Sequence, residues 1–138
     1  MAWNKQDLIP QSEITVKVTD ATVKFAQRFG LYLGTDDPGQ NGRSLGNKLT
    51  TNQLRKFFGE VKRQQMTGYN ETDFVLLKPK LAYAVGRSKQ KESKIKDFYL
   101  VISQAIDQVK CEEHFKNFIK IFEAIVAYHK AAEEKMSL

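Results

Sequence analysis

Two stretches near the C-terminal end constrain the fold most, because each carries apolar residues at helical spacing over four turns or more. The first comprises Ile95, Phe98, Tyr99, Ile102, Ala105, Ile106 and Val109, and the second comprises Phe115, Phe118, Ile119, Phe122, Ile125, Val126 and His129. An apolar stripe of this width must be buried against other elements. The break at 110–112 is short, so the two helices are predicted to form an antiparallel hairpin.

The next clear helix begins near residue 50. Thr50 and Gln53 have the spacing of a capping box, and Leu49 and Leu54 have that of a hydrophobic staple. Its apolar face then contains Leu54, Phe57, Phe58 and Val61.

Two further helices complete the prediction. Val23, Ala26, Phe29 and Leu33 predict a helix that begins at Thr19 or Asp20 and ends at Gly34. Pro79 suits a first helical turn, so a short helix is predicted over 79–86, with Leu77, Leu81, Ala84 and Val85 facing inward. The chain is therefore predicted to be an all-α protein, a small bundle of about five helices in a single domain spanning 1–138.

Several connecting segments lack helical periodicity. Residues 1–18 contain Glu13–Val18, which alternates like a strand but has no partner strand, so an extended arm or the lead-in to a helix is predicted. Trp3 on this arm is a candidate for contact with a partner. Residues 34–48 hold four glycines and are predicted to be a flexible loop. Loops are also predicted at 66–73 and, rich in lysine, at 88–93.

The composition excludes several classes. No apolar run is long enough to span a membrane, and no apolar stretch near the N-terminus resembles an export signal, so a cytoplasmic location is predicted. Cys111 is the single cysteine and has no partner for an internal disulfide.

No active site is evident. Cys111 has acidic rather than cationic neighbours, which makes it a poor candidate for a nucleophile. His129 and Glu133 have metal-ligand spacing, but no second pair matches them, and His114 suits a surface position. There is also no glycine-rich phosphate loop of known form. We expect no catalytic activity, no metal and no cofactor.

The positive charge is concentrated in the middle of the chain. Residues 48–96 hold twelve of the 22 basic residues and four of the 16 acidic ones, whereas residues 1–47 are neutral and residues 97–138 carry a net charge of −2. Clustered cations attract polyanions, above all nucleic acids. The distribution favours a phosphate-binding surface, although a simple solvated surface is the alternative.

Three segments together resemble a known family. They are LTTNQLRKFFGEV (49–61), LLKPKLAYAVGR (76–87) and FKNFIKIFEAIVAYHK (115–130). In this order, in a short basic helical protein, they are similar to the small subunit of the type III-A CRISPR effector, the Csm complex. The resemblance covers about 49–130, which is more than half of the chain.

The resemblance implies a non-catalytic helical bundle that acts in antiviral defence. Such subunits stack head to tail beside the backbone subunits that hold the guide RNA, line the channel where target RNA pairs with it, and contact the large subunit. Implied partners are therefore guide RNA, target RNA and these subunits, and the implied mode is phosphate contact without sequence specificity.

The predicted RNA-binding residues come from two arguments. The resemblance assigns phosphate contact to cations in the matching segments, namely Arg55, Lys56, Lys78, Lys80 and Arg87. The charge distribution alone adds Lys48, Lys62 and Arg63. Arg87 is the leading candidate because its guanidinium can hold a phosphate with two hydrogen bonds, although it can instead cap a helix C-terminus.

Two other functions remain open from the sequence. One is a small helical protein–protein adaptor with no nucleic-acid role. The other is a DNA-binding regulator, but the gaps on either side of the helix that begins near residue 50 exceed the short turn of a helix-turn-helix. The acidic C-terminal third can also meet the basic middle third of a neighbouring copy, which would suit head-to-tail assembly.

Overall fold

The computed structural model describes residues 3–88 and 92–135. Over these residues the chain forms seven α-helices: α1 (Gln11–Thr15), α2 (Asp20–Leu33), α3 (Thr51–Thr67), α4 (Glu71–Val75), α5 (Leu77–Arg87), α6 (Ile95–Gln108) and α7 (Glu112–Glu133). Five of them exceed ten residues, and the described part of the chain has no β-strand beyond an isolated bridge between Pro38 and Ser44. The predicted all-α bundle is confirmed.

Helices α2 and α7 form the most extensive helix pair, and glycines allow their close approach. A Cβ atom added at Gly30 would lie 2.6 Å from the Cβ of Tyr128, and one added at Gly34 would lie 2.8 Å from the Cβ of Ala132. Gly34 follows Gly30 by four residues on α2, and Ala132 follows Tyr128 by four residues on α7. The two helices therefore run parallel. The sequence predicted Gly34 only as a helix end, and it does cap α2.

Aromatic side chains fill the centre of the bundle. The ring of Phe57 on α3 meets Phe98 on α6 and Phe122 on α7, with centroids 5.7 Å apart in both pairs. Phe98 and Phe122 lie equally far along the chain on either side of Lys110, and their centroids are 6.2 Å apart. Contact between two residues that are equally distant from the connection is expected where α6 and α7 fold back on each other.

The start of α3 is confirmed in detail. Thr50 accepts a hydrogen bond from the backbone N–H of Gln53, and the Gln53 side chain accepts one from the N–H of Thr50. Leu49 and Leu54 are both buried, as the staple requires. A loop does lie within the predicted range 66–73, but it is confined to 68–70, because α3 continues to Thr67 and α4 begins at Glu71.

The N-terminal segment does not form an extended arm. Trp3 is 4% exposed, its ring centroid lies 4.8 Å from that of Phe29, and Ile14 on α1 is fully buried. The side-chain amide of Asn117 donates to the carbonyl of Ile14 over 2.8 Å, which ties α1 to α7. Trp3 is thus a core residue, because a neighbouring aromatic surface covers it.

The apolar face of α2 differs from the prediction. On α2, Val23 is 41% exposed and Phe25 is buried in its place. The loop at 34–48 has a defined path, closed by hydrogen bonds from the N–H of Leu45 to the carbonyl of Asp37 and from Gly39 to Arg43. The connector predicted at 88–93 includes residues 89–91, which lie outside the described residues.

Candidate nucleic-acid interface

A cleft of about 500 Å³ lies between α3 and α5, closed at one end by the start of α6. Its cationic side chains are Lys56 from α3 and Lys80 and Arg87 from α5. Phe57, Ala84 and Ile95 contribute apolar surface to the same cleft. Because α3 and α5 are separated by α4 in the chain, only their packing brings these three cations together.

Glu60 anchors the positive wall of this cleft. Its carboxylate accepts two hydrogen bonds from the Arg63 guanidinium, at 2.7 and 3.1 Å, one from Lys80 at 2.9 Å, and one from the Gln64 amide at 3.3 Å. The hydrogen bonds from Arg63, followed by that from Lys80, lower the pKa of Glu60 to about 2. Glu60 is therefore ionised at neutral pH and holds the two cations in place.

Arg87 stands at the end of α5 beside an exposed aromatic ring. Its guanidinium carbon lies 5.7 Å from the ring centroid of Tyr83, one turn earlier on the same helix. A guanidinium at this distance from a tyrosine ring is attracted to it. Arg87 also occupies the last turn of α5, where the helix dipole favours a cation.

Seven of the eight predicted RNA-binding residues fall into two groups. Lys56, Lys80 and Arg87 line the cleft, and Arg63 joins them through Glu60. The others lie elsewhere: Lys48 pairs with Glu133 at 2.9 Å, Lys62 with Glu123 at 2.9 Å and Lys78 with Asp107 at 2.6 Å.

Arg55 belongs to neither group. It is exposed and, within the described part of the chain, has no ion pair. On α3 it is one turn after Thr51, whose hydroxyl donates to Glu133 on α7. By helical spacing, Arg55 therefore lies on the flank towards α7, away from the cleft.

The ion pairs of Lys48, Lys62 and Lys78 bear on assembly. Their acidic partners are Glu133, Glu123 and Asp107, all from the acidic C-terminal third of the same chain. Part of the charge complementarity that the sequence offered for contact between copies is thus used within one molecule.

Lys94 belongs to the basic middle part of the chain, but its side chain is buried. Its side chain is 2% exposed, and its ammonium donates to the carbonyls of Tyr32 and Thr35 and to the carboxylate of Asp37, at 2.6–2.9 Å. A hydrogen bond from Asn47, then that from Lys94, lowers the pKa of Asp37. Lys94 therefore ties the 34–48 loop to the start of α6. Its position at a helix N-terminus, where a cation is unfavourable, is the one sequence signal for this role.

A second cleft, of about 590 Å³, lies beside α2 and is lined in part by Arg28 and Lys94. Here the cations are already held, since Arg28 bonds Asp7 at 3.0 Å and Lys94 bonds Asp37. The cleft between α3 and α5 is the better candidate for an anionic ligand. Glu60, the acid that lines it, is paired with Arg63 and Lys80, so Lys56 and Arg87 face the cleft without an acidic partner among the described residues.

The remaining candidates have structural surroundings. His129 is buried, with Nε2 2.6 Å from the carbonyl oxygen of Leu49 and 3.8 Å from Glu133. Nδ1 of His114 accepts from the backbone N–H of Lys110 at 3.1 Å, and Cys111 is an exposed free thiol. Within 3–88 and 92–135, no group of three or more histidine, cysteine or acidic residues has the arrangement of a metal site.

Comparison with known families decides the assignment. The family model described as Csm2 Type III-A matches residues 35–135. The chain belongs to this family. It is thus a small subunit of the type III-A CRISPR effector, the Csm complex, which the resemblance of its three segments had indicated.

The match includes the whole of the candidate cleft, since α3, α5 and the start of α6 all lie within 35–135. Searches of curated proteins and of solved structures found no match. Among the described helices of this Csm2 family member, none has the length and apolar character needed to cross a membrane.

Proposed function

We propose that the cleft between α3 and α5 binds the sugar–phosphate backbone of paired guide and target RNA, without reading its sequence and without catalysing a reaction. The observation that carries this proposal is the convergence of Lys56, Lys80 and Arg87 from two helices on one concave surface. In an RNA-guided complex, base pairing supplies sequence recognition, so a small subunit needs only to contact charge and shape.

The individual cations differ in how readily they can contact phosphate. Lys56 and Arg87 are exposed in the cleft and are proposed as direct contacts. Lys80 and Arg63 share Glu60 and add to the positive potential of the same wall. Arg55 is proposed to contact RNA on the flank of α3 that lies towards α7, away from the cleft.

Three cations are proposed as secondary contacts. Lys48, Lys62 and Lys78 would exchange a carboxylate for a phosphate. Partly exposed ion pairs of this kind contribute only about 0–1 kcal/mol. A phosphate can therefore compete for these side chains.

The double variant Lys56→Ala/Arg87→Ala tests the proposal. We expect weaker binding of a labelled guide–target duplex in fluorescence anisotropy. The slope of log affinity against log salt concentration should also flatten by about 2, since each lost phosphate contact removes about one unit. Circular dichroism should show an unchanged helix content, because both side chains are exposed.

Lys116→Ala/Lys120→Ala is the matched control. It removes the same charge from exposed positions on α7, outside the cleft. It should retain most of the affinity and the wild-type salt slope. Equal losses in the two double variants would show that net charge alone drives binding. Unchanged binding in the cleft variant would refute the assigned surface and favour the adaptor function.

We further propose that the protein associates head to tail with other copies and contacts the backbone and large subunits, in antiviral defence. Membership of the Csm2 family supports association with the other subunits of the complex. For contact between copies, the exposed acids are Glu112, Glu113 and Glu134, since three other acids of the C-terminal third pair within the chain.

A further inference from the structure

The interior of the cleft between α3 and α5 is partly apolar. Contact with the phosphates of a duplex does not require an apolar surface. Phe57, Ala84 and Ile95 contribute to the lining of the cleft, although its cations are Lys56, Lys80 and Arg87. Phosphates lie on the outside of a duplex, and its bases are stacked inside. An apolar hollow bordered by cations therefore suits a nucleotide whose base is unpaired.

Tyr83 provides a second observation at the same place. It is 68% exposed, and of the aromatic side chains in the described residues it alone is exposed. Arg87 lies beside it, with the guanidinium carbon 5.7 Å from the ring centroid. Aromatic rings and guanidinium planes are the two groups on which proteins stack unpaired RNA bases.

We propose that this cleft accepts one unpaired RNA nucleotide. Its base stacks on Tyr83 or on the guanidinium plane of Arg87, and its phosphate lies towards Lys56 and Lys80. This inference rests on the proposed RNA-binding function and adds a base-stacking subsite to it. Because every base has an aromatic face, such a subsite binds without sequence preference.

Three labelled probes test the subsite with the full-length protein: a short oligouridine strand, an abasic strand of the same length, and an RNA duplex. The wild type should bind oligouridine roughly 5- to 150-fold more tightly than the abasic strand, the range expected for one stacked base. Tyr83→Ala should lose most of this difference, whereas Tyr83→Phe should keep it. Duplex affinity should change less than about 2-fold in both variants, because duplex bases cannot enter the cleft.

Met66→Ala is the control, since it removes another highly exposed apolar side chain, outside the cleft. It should bind all three probes like the wild type. The inference is overturned if Tyr83→Ala still discriminates oligouridine from the abasic strand. It is also overturned if Tyr83→Ala weakens the binding of all three probes equally. Equal binding of oligouridine and the abasic strand by the wild type would overturn it too, and is the result expected for a cleft that holds an acidic protein segment.

The duplex probe separates this inference from the proposed function. If Lys56→Ala/Arg87→Ala binds the duplex like the wild type, the proposed function fails and the inference fails with it. If that variant loses duplex affinity while Tyr83→Ala still discriminates the two strands, only the base-stacking subsite is refuted.

Discussion

Replacing Gly30 by alanine should destabilise the protein, although alanine is the better helix former. Gly30 lies inside α2, where the intrinsic preference for alanine over glycine is about 1 kcal/mol. The new Cβ would, however, lie 2.6 Å from the Cβ of Tyr128, 2.8 Å from the carbonyl oxygen of Ile125 and 2.9 Å from the backbone nitrogen of His129. Ordinary contacts are 3.4–4 Å, so α2 must move away from α7 by about 1 Å.

The magnitude follows from the kind of atoms involved. Two of the three are backbone atoms of α7, which no side-chain rotation can remove. Overpacking in a core costs roughly 1–3 kcal/mol, and the upper end applies where the backbone must shift. With the helix preference of about 1 kcal/mol in the opposite direction, we expect Gly30→Ala to lower the free energy of unfolding by about 2 kcal/mol.

Gly59→Ala is the matched control. Gly59 also lies inside a helix, α3, but a Cβ atom there meets nothing within 4 Å. This variant should raise the free energy of unfolding by about 0.5–1 kcal/mol. Urea denaturation followed by circular dichroism measures both variants, with the denaturant slopes compared with the wild type. Equal stabilisation by the two variants would refute the close packing of α2 on α7.

Two further predictions concern charge. Because Glu60 has a pKa lowered to about 2 from 4.5, its ion pairs stabilise the fold above about pH 4.5, and this contribution disappears as the pH falls towards 2. Urea midpoints should therefore show Glu60→Gln to be less stable than the wild type near neutral pH and close to it near pH 2; a constant difference would contradict this. Light scattering should give an apparent mass above the 15.8 kDa of one chain at low salt and about that value at high salt, if charge drives self-association; a single-chain mass at both would contradict head-to-tail assembly.

The helices could be predicted because their signals are local. Apolar spacing placed α6 and α7, and the Thr50–Gln53 capping box located the start of α3. These signals depend on residues within a few positions of one another. Predictions were wrong where a short helix such as α4 has too few residues to show a period, and at Trp3, whose burial depends on Phe29 in a different element.

The sequence by itself determined that this chain is a helical member of a CRISPR small-subunit family with its positive charge in the middle third. Only the tertiary structure decided which cations share a surface. Lys56, Lys80 and Arg87 meet in one cleft, whereas Lys62 faces an acid on α7 and Lys94 is buried. The physical reason is that the rotation of each helix is set by its packing against elements distant in the chain. A local pattern shows which side of a helix is apolar but not which partner its charged flank will meet.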